Sequence, residues 1–84
     1  MHLPVWWEWE LEITPHVEKR MLQRGFNEID LRTMYQDAFS INEGKEPGRW
    51  GIITLHKKEK WEIIVEPDND EKILVVVTAY PIEE

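Results

Sequence analysis

Apolar and polar positions alternate one by one from Trp7 onward, with Trp7, Trp9, Leu11 and Ile13 on one side and Glu8, Glu10 and Glu12 on the other. A period of two belongs to a strand with one buried face, so a half-buried strand is predicted over residues 7–13. The period changes at Thr14-Pro15. Threonine suits an N-cap, and proline is tolerated at the first helical position because its missing N–H has no intrahelical partner there. Val17 and Met21, four apart, mark the buried stripe of a first helix, and Gly25 follows Arg24 as a residue able to take the left-handed conformation that ends helices.

Asn27 and Asp30 are spaced as an N-cap and its third helical residue, a capping box with Asp in place of the usual Glu or Gln. The stripe Leu31, Met34, Tyr35, Ala38 and Phe39 then predicts a second helix packed on a sheet. Residues 41–48 carry two glycines and a proline among charged side chains and read as a loop. Three strands are expected over residues 50–56, 61–66 and 73–80, joined by short connections that imply an antiparallel meander. The last is apolar on both faces for most of its length, which predicts a central position.

The pattern predicts an α+β fold of order β-α-α-β-β-β, with two helices packed on a four-stranded, mainly antiparallel sheet. The pairing of the first strand stays open. With 84 residues and 10.1 kDa the chain holds one core, and a single domain over residues 1–84 is expected. No apolar run is long enough to cross a bilayer and no leader pattern opens the chain, so a cytoplasmic protein without membrane contact is expected. There is no cysteine and the histidines are scattered, so neither a disulfide framework nor a metal site is predicted, and no cofactor is assigned. The acidic run from Asp68 to Glu71 lacks the glycine and distant glutamate of a calcium loop and reads as a solvated turn. The net charge of −7 repels phosphate at long range, so any nucleic-acid role must be carried by a local concentration of cations.

His16, Arg20 and Arg24 recur every four residues and form one polar stripe on the first helix. Imidazole can move a proton near neutral pH, and guanidinium can grip phosphate oxygens with two bonds, which together suit phosphodiester chemistry. The alternative is a solvated helix face with Arg24 complementing the helix's carboxyl end. His56, beside Lys57 and Lys58, is either a second proton carrier or a hairpin residue. His2 is read as a loosely held terminal residue. Trp6 and Trp7 are adjacent, so in a strand one of them would face outward as a partner or dimer contact; packing beneath the helices is the other reading.

The run from His16 through Arg20, Arg24-Gly25 and Asp30, with Thr78-Ala-Tyr80-Pro near the end, resembles a bacterial family of uncharacterised small domains. That family is distantly similar to RelE/ParE-type and BrnT-type toxins, within the barnase-like and EndoU-like ribonuclease folds. The resemblance spans the first helix to the last strand. It implies a RelE-like fold and a toxin that cleaves RNA without a metal, or an inactive descendant, from a toxin–antitoxin or phage-associated system. It places His16 as general acid or base, Arg20 and Arg24 on the phosphoryl oxygens, and Thr78 and Tyr80 as substrate-orienting or proton-relaying groups. The partners expected on these grounds are RNA and an antitoxin. The competing expectation is a non-enzymatic interaction module, homodimeric or bound to another protein.

Overall fold

Residues 3–82 are described by a computed structural model; His2 lies outside them. A 3-10 turn (Val5–Glu8) leads into β1 (Glu10–Ile13), α1 (Pro15–Arg24), α2 (Glu28–Gln36), β2 (Ser40–Glu43), β3 (Trp50–His56), β4 (Glu59–Asp68) and β5 (Ile73–Pro81). The sheet has five strands in the order β1-β5-β4-β3-β2, with β1 parallel to β5 and the other pairs antiparallel. It is therefore a five-stranded mixed sheet rather than the expected four-stranded, mainly antiparallel one.

The helix boundaries follow from local chemistry. The Thr14 hydroxyl accepts from Val17 N–H and itself donates to the Val76 carbonyl at 3.2 Å, which ties the start of α1 to β5. Gly25 closes α1 in the left-handed region at φ 74°. Asn27 and Asp30 form the reciprocal capping box, with bonds of 2.9 and 3.0 Å. The second helix stops at Gln36, so Phe39 is not part of its stripe. Phe39 is half exposed, and its N–H already bonds the Ile53 carbonyl in the sheet.

Residues 41–48 differ from the expected loop, because the reversal is confined to the glycine- and proline-bearing part. Gly44 N–H bonds the Arg49 carbonyl at 2.7 Å, and the chain before it pairs with β3, placing Ile41 opposite Ile52. The first strand is shorter than expected. Bonds from Trp7 N–H to the Pro4 carbonyl and from Trp9 N–H to the Trp6 carbonyl wind residues 5–8 into a turn instead. That turn drives Trp6 into the core, 5.7 Å from the Trp50 ring.

Both helices lie on one face of the sheet. Val17, Met21, Leu31 and Met34 close over Ile52, Trp61, Ile63, Val65, Leu74, Val76 and Ala79. Thr54, fully buried in the same layer, donates its hydroxyl to the Met34 carbonyl and so anchors α2 on β3. The last strand is central as expected, between β1 and β4. It carries a bulge: Val65 pairs with Val76 but Ile64 pairs with Thr78, so Val77 is the extra residue.

Candidate functional site

The polar stripe of α1 does not run parallel to the buried one. Each step of four residues turns about 40° around the axis, so His16 stands about 100° from Val17, Arg20 about 60° and Arg24 about 20°. The stripe thus swings toward the core as the helix proceeds. His16 is exposed, Arg20 is half-buried, and Arg24, itself exposed, reaches over the sheet with its guanidinium carbon 5.7 Å from the Trp61 ring centroid. That separation is within cation–π range.

Trp61 is the floor of a small cluster. Phe26, just beyond the end of α1, meets it edge-on at 5.2 Å, and His56 meets it edge-on at 5.8 Å while tilting against Phe26 at 5.5 Å. The Trp61 indole N–H is buried and has no hydrogen-bond partner among the described residues. An imidazole from β3 and a guanidinium from α1 therefore share one aromatic support. Among the described residues no carboxylate pairs with Arg20 or Arg24, in contrast to Arg32 on Glu28 and to Arg49 on Glu46 and Glu66.

Two lysines follow His56 directly. Lys57 and Lys58 form the two-residue connection between β3 and β4, and both have positive φ, 50° and 68°. Positive φ at both central positions defines a type I′ turn, which asparagine and glycine adopt far more easily than lysine. The left-handed region costs an ordinary residue about 1–2 kcal/mol. The strained lysines thus put two cations at the tip of the hairpin next to His56, with Glu59 opposite His56 in the ladder.

Thr78 and Tyr80 are not part of this cluster. Thr78 is paired with Ile64 and Tyr80 with Glu62, on the sheet face opposite Ile63, Val65 and Ala79, which lie under the helices. The bulge at Val77 is the cause: without it Thr78 and Tyr80 would share the face of Val76. The structure sets Arg24 and His56 against the same Trp61 ring, with Arg20 one turn and His16 two turns up the helix from Arg24. It does not bring Thr78 or Tyr80 to them.

On the open face the Tyr80 hydroxyl donates to the Glu62 carboxylate. This bond, reinforced by partial burial and by the carboxylate's charge, pushes the phenol up to about 12. A phenol held protonated in this way is no proton acceptor near neutral pH. Gly51 supplies the room, since a Cβ there would collide with the Glu62 carboxylate.

Of the two readings of Trp6 and Trp7, the packing one describes Trp6. Trp6 is buried, and Trp7 stacks on Tyr35 at 4.1 Å while its carbonyl accepts the Tyr35 hydroxyl at 2.7 Å. Trp7 is only half-buried. The acidic run is a capped turn, in which Asp68 accepts from the N–H groups of Asp70 and Glu71.

No described helix is long and apolar enough to cross a membrane. The architecture defines an α+β domain with two helices on one face of a five-stranded mixed sheet. The profile of the domain-of-unknown-function family DUF4258 matches residues 13–81, and the chain belongs to that family. The match runs from the last residue of β1 to the last of β5 and leaves out the tryptophan-rich segment before them. No curated protein and no solved structure matches the chain.

Proposed function

We propose that this domain is a toxin-like, metal-independent ribonuclease acting at the surface shared by α1 and the β3–β4 turn. The observation that carries the reading is the meeting of Arg24 and His56 on Trp61. Arg24, with Arg20 a turn away, holds the non-bridging phosphate oxygens, and Lys57 and Lys58 draw in the neighbouring backbone phosphates. The RNA 2′-hydroxyl loses its proton to one imidazole and attacks phosphorus. The bond to the 5′-oxygen breaks, that oxygen takes the proton from the imidazolium so formed, and a 2′,3′-cyclic phosphate and a 5′-hydroxyl end remain. His56, on the same Trp61 ring as Arg24, is the proton carrier; His16 stands about 12 Å up the helix axis from Arg24 and serves the neighbouring nucleotide.

The resemblance of the His16, Arg20 and Arg24-Gly25 helix to RelE- and BrnT-type toxins supports the same reading. It brings with it a cytoplasmic RNA target and an antitoxin as inhibitor. Thr78 and Tyr80 are left out of the chemistry because they occupy the other face.

Purified protein incubated with single-stranded RNA in EDTA should yield cyclic-phosphate ends, and its expression in bacteria should slow growth. Arg24→Gln and His56→Gln should each reduce cleavage by about 10²–10⁴-fold with the far-UV circular dichroism spectrum unchanged. Intact RNA together with normal growth overturns the proposal.

A further inference from the structure

The sheet face not covered by the helices presents two rows of side chains across β3, β4 and β5. Ile53, Glu62 and Tyr80 form one, and Gly51, Ile64 and Thr78 form the other. Leu55 extends the apolar part and is about half exposed. A depression of about 400 Å³ opens on this face, with Glu62, Ile64, Thr78 and Tyr80 on one side and the β2–β3 loop, including Lys45 and Arg49, on the other. Along β1, Glu10 and Glu12 stand opposite Ile73 and Val75 and add charge at the far border.

The carboxylates on this face are not equivalent. Glu66 already has the Arg49 guanidinium on it at 3.1 Å. Glu62 is fixed between the recess at Gly51 and the Tyr80 hydroxyl. A carboxylate held in place over an apolar floor, with an aromatic ring beside it, is a receptor for a guanidinium or ammonium carried on an apolar stem.

We infer that this face is a docking surface for a cationic amphipathic segment of a partner protein, seated with an arginine or lysine on Glu62 and apolar side chains on Ile53, Leu55 and Ile64. Charge complementarity selects that occupant. RNA would bring phosphates against Glu62, Glu10 and Glu12. A second copy meeting through a two-fold axis would set this acidic face against itself. The inference is independent of the ribonuclease reading, because it concerns the opposite side of the sheet from Arg24 and His56.

The test is titration of the full chain with a labelled synthetic peptide of alternating arginine and leucine, with a glutamate–leucine peptide as control. Binding is followed by fluorescence anisotropy and by amide chemical shifts. The arginine peptide should bind and shift Gly51, Glu62, Ile64 and Thr78, weakening as salt is raised. Glu62→Gln, which keeps an acceptor for Tyr80, should weaken it by about tenfold or more. Glu62→Lys should turn the preference toward the glutamate peptide. Absent binding, equal binding of both peptides, unchanged affinity in Glu62→Gln, or shifts centred on Arg24 and His56 overturns the inference. So does a single-stranded RNA probe that shifts Gly51, Glu62 and Ile64.

Discussion

Arg24 lies over the ring of Trp61, 37 positions further along the chain in β4, and so rests on the same indole that His56 meets edge-on. Because the contact depends on a planar, delocalised cation, Arg24→Lys should not substitute for it. RNA cleavage in Arg24→Lys is expected to fall by about tenfold or more with little change in melting temperature, measured by single-turnover kinetics and calorimetry. An equal loss in Thr78→Ala would instead move the chemistry to the open face.

The Lys57-Lys58 turn links stability to function with opposite signs. Replacing it by asparagine and glycine relieves two left-handed lysines and should stabilise the fold by about 1–2 kcal/mol, a gain readable in urea unfolding. The same change removes two cations, so RNA affinity should fall and its logarithmic salt dependence should flatten by about one unit per lysine. A turn variant that is more stable and binds RNA as well as before would remove the lysines from the interface.

Tyr80 supplies a pH dependence. Its phenol is raised from 10.0 to about 12, first by the hydrogen bond to Glu62 and then by burial and charge. The folded protein therefore holds this proton more tightly than the unfolded chain does. The stabilisation is fully present below pH 10, declines between 10 and 12, and is gone above that. Gly51→Ala should push the Glu62 carboxylate away and lower the Tyr80 titration toward 10.0 in phenolate absorbance, while stability stays within about 1 kcal/mol because alanine is favoured over glycine in a strand. An unshifted titration in that variant would disprove the role given to the recess.

Thr14 serves α1 twice, as N-cap and as donor to the Val76 carbonyl. Thr14→Ala should cost about 1–2 kcal/mol in denaturant unfolding, and Thr14→Ser should recover most of it. Full stability in Thr14→Ala would mean that the start of α1 is held by packing alone.

Residues whose partners are three or four positions away were readable in advance. Thr14-Pro15, Gly25 and the Asn27/Asp30 box mark the helix ends because each acts through a bond that closes within one turn. The period of two likewise located β3, β4 and β5. It failed at residues 7–9, which lie outside β1 because the 3-10 turn that sets Trp6 against Trp50 takes in Trp7 and Glu8. It also failed at Ser40–Glu43, whose polar residues become a strand because β3 offers them an edge. In the candidate site, the helical stripe of His16, Arg20 and Arg24 was legible as a stripe. His56 was visible only as a histidine beside lysines, since its proximity to Arg24 runs through Trp61.

The amino-acid order by itself determined where both helices start and where the first one stops, which strands are buried, and that cations recur along one side of α1. All of these rest on interactions within a turn or on side-chain periodicity. Only the folded sheet decided that β1 runs parallel beside β5, that Val77 is bulged, and so that Thr78 and Tyr80 face Glu62 rather than Arg24. The physical reason is that a bulge is a choice of register between two strands, and one added residue exchanges the faces of every side chain beyond it.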